Sequence, residues 1–247
     1  MSATKAPQTI VLITGANQGL GFEVAKKLAA EQANYHILLG SRNPQKGQDA
    51  ASCITNLAEN TSVQATEIDI LSDASIQRCV SEVEARHGRL DVLLNNAAIG
   101  RVDESSRREE MMRVVETNAV SAWCVTEEFA PLLKKSEAPR VVMMTSGLGS
   151  LGMTLDPARA YYGLDAPAYK VSKAAMNMVA AVEAVKYAKD GIKVNVVCPG
   201  FRKTNLNGYS EMAGDPADGA IEACRVIIMG KEGPTGRFTT LEGEYPW

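Results

Sequence analysis

The sequence predicts an α/β fold, a doubly wound and mostly parallel sheet with helices on both faces. Three observations predict it. Short apolar runs alternate with longer helix-like stretches along the whole chain. The runs are near-continuously apolar, without polar alternation, as suits parallel strands buried on both sides. A glycine-rich turn, Thr14-Gly-Ala-Asn-Gln-Gly-Leu-Gly21, follows the first run and opens the first helix.

The strands are expected at residues 10–14, 36–40, 63–68, 90–94, 141–145 and 193–198, each rich in Val, Ile, Leu or Met. The helices between them are expected at 20–32, 44–59, 73–87, 107–134 and 168–189. Ser72 before Asp73 and Asn43 before Pro44 are helix-start signals, and Gly191 after Asp190 is a stop. Two stretches break the rhythm. Residues 146–167 are rich in Gly, Tyr and Leu, and residues 200–216 are polar with several Gly and Asn. Long loops within a compact domain are usually functional. With no repeat, low-complexity segment or linker, residues 1–247 read as a single domain.

Composition narrows the function classes. The chain has 247 residues, of which 45% are hydrophobic and 22% charged, enough for a substantial core. A net charge of -3 gives no basic surplus, which argues against nucleic acid as a partner. The five cysteines (Cys53, Cys79, Cys124, Cys198, Cys224) form no CxxC pair and read as reduced thiols, hence a cytoplasmic location. No run suits a signal peptide or a membrane span, and the end Glu244-Tyr-Pro-Trp247 is no targeting signal. His36 and His87 are the two histidines. His36 lies in a strand-like run and His87 closes a helical one, so neither suits a catalytic triad. No HExxH motif or Cys/His cluster supports a metal site.

The glycine turn can cradle a phosphate. Small residues let the backbone turn tightly and approach the anion, and the amides and dipole of the next helix favour it. The spacing is Gly-x-x-x-Gly-x-Gly rather than Gly-x-Gly-x-x-Gly. At the end of the second strand, where a carboxylate would hold a ribose 2′-hydroxyl, stand Ser41 and Arg42. A guanidinium there suits a 2′-phosphate, so NADP is expected over NAD. Asp69, ending the third strand, can accept from an adenine amino group or simply organise a turn.

Tyr169 and Lys173 are spaced i, i+4, which places both on one helix face. A free Tyr has a pKa of about 10, and a neighbouring ammonium lowers it, which makes the phenol a usable acid/base. Tyr161 and Tyr162 lack such a partner, because Asp165 and Ala166 stand four residues on.

Taken in order, these motifs resemble the short-chain dehydrogenase/reductase family over nearly the whole chain. Thr14–Gly21 resembles its glycine motif, Asn95-Asn96-Ala97-Ala98 its Asn-Asn-Ala-Gly motif, and Asn118 its structural and catalytic Asn. Ser146, Tyr169 and Lys173 match its catalytic set, and Pro199-Gly200 followed by Thr204 its Pro-Gly segment. The stretch 236–247 and the Gly15-Ala-Asn loop resemble the carbonyl-reductase-like branch. The resemblance implies a Rossmann-type fold and an oxidoreductase that transfers hydride from NADPH to a ketone or aldehyde. It implies that Tyr169 donates the proton, Ser146 orients the carbonyl, Lys173 lowers the Tyr pKa and contacts the nicotinamide ribose, and Asn118 supports a water chain to Lys173. It implies cofactor contacts from Gly15, Asn17, Gln18, Leu20 and Gly21 in the first turn, and from Ser41 and Arg42 after the second strand. Further contacts come from Asp69 and Ile70, from Asn96 and Ala97, from Tyr169 and Lys173, and from Pro199 and Thr204, the last holding the carboxamide.

Three departures from the family pattern stand out. Ala98 replaces a glycine, Gln18 stands where NADP-preferring relatives often carry a basic residue, and the interval from Ser146 to Tyr169 is long. The extra residues, 155–163, are expected in the substrate wall. Tyr161 and Tyr162 either line the pocket or pack the loop. Met143 and Met144 are expected in the core and Cys198 buried. Phe201 is placed near the nicotinamide, and Arg202 faces either an anionic substrate or solvent. The expected partner is a small carbonyl or alcohol. The resemblance also implies a homodimer or homotetramer built on the helices at 107–134 and 168–189. Two alternatives stay open: an NADP-binding sensory or scaffold module without turnover, and the same site working mainly as an alcohol dehydrogenase.

Overall fold

A computed structural model describes residues 7–159 and 161–247. In chain order the elements begin with β1 (Thr9–Ile13), α1 (Gly19–Glu31), β2 (Tyr35–Ser41), α2 (Pro44–Ser52), β3 (Ser62–Glu67), α3 (Asp73–His87) and β4 (Val92–Asn95). There follow α4 (Arg107–Val115), a π-helical turn (Glu116–Val120), α5 (Ser121–Leu133), β5 (Arg140–Met144), a 3-10 turn (Gly147–Gly149), α6 (Leu151–Leu155) and α7 (Pro167–Lys186). The chain closes with β6 (Lys193–Val197), a 3-10 turn (Asn205–Asn207), α8 (Pro216–Ile227), β7 (Phe238–Thr240) and β8 (Gly243–Glu244).

The strands form one eight-stranded sheet, order β3-β2-β1-β4-β5-β6-β7-β8. Every pairing is parallel except β7 with β8. The fold is therefore the expected Rossmann-type one. Chain order reverses between β1 and β4, and a crevice at the carboxyl ends of such strands is where this architecture binds ligands. Alternate strand residues feed two cores. Leu12, Leu38, Leu93, Val141 and Val194 pack with α3, α5 and α7 on one face. Val11, Ile37, Leu94, Val142 and Val197 pack with α1, α2 and α8 on the other. Each of these side chains is essentially dry, and burying one contributes about 1.5–3 kcal/mol.

Local chemistry sets most boundaries. Asn43, Ser72 and Ser106 each accept the backbone N–H three residues on and so start α2, α3 and α4. Gly88 and Gly191 adopt left-handed φ of 72° and 73° and end α3 and the turn after α7. Two helices differ from expectation. The helix expected over 44–59 stops at Ser52, because Ile54 turns inward to join the core and Thr55 and Asn56 are weak helix formers. The helix expected over 107–134 is interrupted by the π-helical turn, where the Ser121 N–H reaches back to the Glu116 carbonyl. The sequence reading also missed α8, β7 and β8. No helix among the described residues is long and apolar enough to cross a membrane.

Candidate active site

The turn after β1 is held open by a network centred on Thr14 and Asn96. The Thr14 hydroxyl accepts from the amides of Asn96 and Ala97, at 3.0 and 3.1 Å. The Asn96 amide in turn donates to the carbonyls of Thr14 and Gly15, at 2.8 and 3.2 Å. The close approach explains the glycine: a Cβ on Gly15 would sit 2.9 Å from the Ala97 Cα, and φ is +62°. The N-terminus of α1 has no side-chain cap and no acid in its first turn. Its amides are thus available to an anion, whereas those of α2 and α3 are capped.

From this turn a cleft of about 990 Å³ runs along the carboxyl ends of the strands. That is the upper end of the range for ligand pockets. Its walls bring together most of the residues singled out in the sequence. Gly15, Asn17, Gln18 and Leu20 form one end, with Arg42, Asp69 and Ile70 beside them. Asn96 and Ala97 lie in the middle, and Ser146, Tyr169, Lys173, Pro199 and Thr204 lie further along. The residues fit a dinucleotide: a phosphate-sized cradle of amides stands at one end and proton-transfer groups at the other.

Two expected contacts lie outside this cleft. Gly21 is buried in α1, where a Cβ would collide with the Asn96 side chain at 2.4 Å, so its role is helix packing. Ser41 is also buried, with its hydroxyl donating to the Asn43 carbonyl and accepting from the Asn43 amide. That turn leaves Arg42 exposed at the mouth. Ala98 has no positive φ, so the methyl group that replaces glycine brings no backbone strain. Asp69 lines the cleft and organises a turn there, accepting from the Leu71 amide at 3.1 Å.

At the chemical end, Ser146 and Tyr169 line the cleft together, and the Ser146 hydroxyl accepts from the Leu148 amide at 3.2 Å. Lys173 lies one turn along α7, its Nζ 5.7 Å from the Tyr169 ring centre. The ammonium is buried and donates to the Met144 carbonyl at 2.8 Å. Burial pushes Lys173 down to about 8. It pushes the Tyr169 phenol up, and Ser146 pulls the other way. The expected depression of the phenol does not show, because desolvation by burial is the largest cause and raises it.

Asn118 sits in the π-helical turn, fully buried and away from the cleft wall. Its amide donates to the Ile99 carbonyl and to the Ser172 hydroxyl, both at 2.9 Å, and its oxygen accepts from the Ile99 amide at 2.8 Å. Ser172 donates to the Tyr169 carbonyl at 2.8 Å. Asn118 thus anchors the helical turn that carries Tyr169. The Ser146 loop is pinned separately. A Cβ on Gly149 would fall 2.6 Å from the Lys173 backbone, and Asn177 bridges the Thr145 hydroxyl and the Gly149 carbonyl at 2.5 and 3.2 Å.

The bland readings also resolve. Met143 and Met144 are buried, although Met144 reaches the cleft. Cys198 is buried, its thiol pushed up by burial, and accepts from the Gly147 amide. Arg202 is a structural clip: Nε donates to the Pro199 carbonyl at 2.7 Å, and the guanidinium lies 3.6 Å from Asp218. The sequence reading missed Ser172, Gly149 and Tyr245. Only long-range packing marks them.

The sequence model of the family described as short chain dehydrogenase matches residues 9–213. The chain belongs to this family. The short-chain dehydrogenase anuI of Penicillium roqueforti is 38% identical to it over 234 residues, which cover 92% of this chain and 89% of that protein. The short-chain dehydrogenase/reductase tropE of Talaromyces stipitatus is 36% identical over 254 residues, covering 95% and 96% of the two chains. Among solved structures, the NADPH-bound carbonyl reductase from chicken fatty liver matches with a TM-score of 0.80 at 25% identity, covering 98% of this chain and all of the other. Salutaridine reductase from Papaver somniferum shares the fold, with a TM-score of 0.78 at 24% identity over 94% of this chain and 99% of the other. This short-chain dehydrogenase is an oxidoreductase of a family that uses NAD or NADP and acts on CH–OH and C=O groups of small molecules.

Proposed function

We propose that this short-chain dehydrogenase is an NADPH-dependent reductase of ketone or aldehyde carbonyls. The observation that carries the reading is one continuous cleft with an uncapped helix N-terminus at one end and Ser146, Tyr169 and Lys173 together at the other. When bound, the nicotinamide cofactor supplies the hydride. Gly15, Asn17, Gln18 and Leu20 would hold its phosphates, Asp69, Ile70, Asn96 and Ala97 its adenosine half, and Pro199 and Thr204 its nicotinamide end. Arg42 supports NADPH over NADH. It has no carboxylate partner among the described residues, and Ser41, not an acid, stands before it at the end of β2.

Ser146 donates to the substrate oxygen and holds the carbonyl against Tyr169. Tyr169, kept protonated by burial, gives its proton to the oxygen as charge develops there. Lys173 then faces a phenolate, and its positive charge favours that state. Asn118 holds the Tyr169 turn and is a positioning residue. The test is NADPH oxidation across a panel of carbonyls. Tyr169→Phe and Lys173→Ala are expected to lose most of the turnover while NADPH still binds. Full activity in Tyr169→Phe would overturn the reading.

The same reading takes residues 1–247 as one cytoplasmic catalytic domain that assembles as a homodimer or homotetramer. Trp123 of α5 and Val171, Met178, Val182 and Val185 of α7 support the assembly, because they expose apolar surface on the two long helices. Light scattering that gave the mass of a monomer would overturn it.

A further inference from the structure

The segment that follows β7 has no part in the chemistry above, yet it reaches the cleft. Beyond β8 it runs back over the Ser146 loop. The Ser150 hydroxyl donates to the Pro246 carbonyl at 2.7 Å, and the Tyr245 amide donates to the Phe238 carbonyl at 2.8 Å. The Tyr245 ring packs edge-on against Phe238, with centres 5.7 Å apart. It also lies against Gly147, where a Cβ would meet its Cε2 at 3.2 Å. Gly147 is next in sequence to Ser146, and Tyr245 and Ser146 line the same cleft. Tyr161, from the long loop between Ser146 and Tyr169, lines the same end of the cleft, and its phenol interacts electrostatically with that of Tyr245. Neither phenol hydroxyl has a hydrogen-bond partner among the described residues. Both rings are partly covered, with Tyr161 38% exposed. Leu148, Phe201 and Arg202 line the same cleft, and Arg202 and Glu242 act on the Tyr161 phenol.

We propose that Tyr245 and Tyr161 are the specificity-determining residues of the site, and that they select an aromatic or conjugated cyclic ketone carrying a hydroxyl or second carbonyl away from the reacting one. This rests on the reductase reading above. The rings supply flat faces and edges for an aromatic partner. Two unpaired phenol hydroxyls on the wall bind a polar group that a plain hydrocarbon ring cannot offer, and a site built to hydrogen-bond a substrate group rejects the analogue lacking it. The rings are anchored on segments that carry no proton-transfer group, so they shape the pocket without taking part in the chemistry.

The experiment measures kcat/KM with NADPH for cyclohexanone, 1-tetralone and 6-hydroxy-1-tetralone. It also measures Kd of 6-hydroxy-1-tetralone for the NADP-loaded protein by calorimetry. The wild type is expected to rank the hydroxylated bicyclic ketone first and cyclohexanone last. Tyr245→Phe and Tyr161→Phe each remove about three- to tenfold of the preference for 6-hydroxy-1-tetralone over 1-tetralone, through KM. Tyr245→Leu also weakens the preference for 1-tetralone over cyclohexanone. Preference ratios unchanged in all three variants would overturn the proposal. So would a wild type with no preference for the bicyclic ketones. No turnover on any ketone, combined with calorimetric binding that weakens in Tyr245→Leu, would sink the reductase reading and leave the ligand selection standing.

Discussion

Arg42 and Tyr169 show how single side chains set the chemistry. The Ser41 hydroxyl is engaged with Asn43, and so the turn leaves Arg42 exposed at the glycine-turn end of the cleft. Replacing it by Asp should weaken NADPH at least about tenfold while leaving NADH nearly unchanged, because a lost charge-assisted pair costs about 1.5–3 kcal/mol. Equal losses for both cofactors, measured by fluorescence titration, would show that Arg42 does not read the phosphate. At Tyr169 the spacing to Lys173 was legible from sequence, but the sign of the pKa shift was not. A phenol's shift depends on how much water it keeps, and the packing around α7 removes that water.

Among the elements, the site depends on how closely α7 approaches the loop after β5. Gly149 lies against the backbone of Lys173. Gly149→Ala should therefore destabilise the fold by about 1–3 kcal/mol, the usual cost of overpacking, and lower kcat by moving Ser146 relative to Tyr169. Urea titration alongside kinetics checks both, and an unchanged midpoint would count against the contact. The π-helical turn matters in another way. It carries Asn118, whose amide reaches Ser172 and through it the Tyr169 carbonyl. Asn118→Ala should lower kcat more than it raises KM, with NADPH affinity kept; a change confined to KM would argue against positioning. Neither Gly149 nor Ser172 announces itself in the sequence, since each matters only through a neighbour that lies far along the chain or a full turn away. Ser146, Tyr169 and Lys173 do announce themselves, because helical spacing and strand ends are local patterns.

At the scale of the whole molecule, the core contains a carboxyl that links stability to pH. Glu183 on α7 is fully buried. Burial, together with the nearby Glu127 carboxylate, pushes it up to about 8 from 4.5, while Lys186 and the Thr126 hydroxyl pull the other way. The folded state thus holds this proton more tightly than the unfolded chain does. The stability it contributes is present below about 4.5 and is lost as pH rises towards 8. Lys173, pushed down from 10.5 to about 8, acts in the opposite sense and in the window above that pH. Glu183→Gln stays neutral throughout. Between pH ~5 and ~8 the wild type should lose more Tm than this variant, by at least about 2–4 °C, the shift that 1 kcal/mol brings in a chain of this size. Parallel melting curves of the two proteins would refute the linkage.

The sequence by itself determined the parallel sheet, the glycine turn at its switch point, and the order in which Ser146, Tyr169 and Lys173 follow it. Those features are written in local periodicity and spacing, which need no knowledge of what lies across the molecule. Tertiary structure alone decided that Gly21 and Ser41 are buried outside the cleft lining, that Asn118 hydrogen-bonds Ser172, and that Tyr245 returns to pack against Gly147. Each of these depends on contacts between residues in different elements, and those contacts exist only once the buried faces of the sheet and helices have fixed the elements in place.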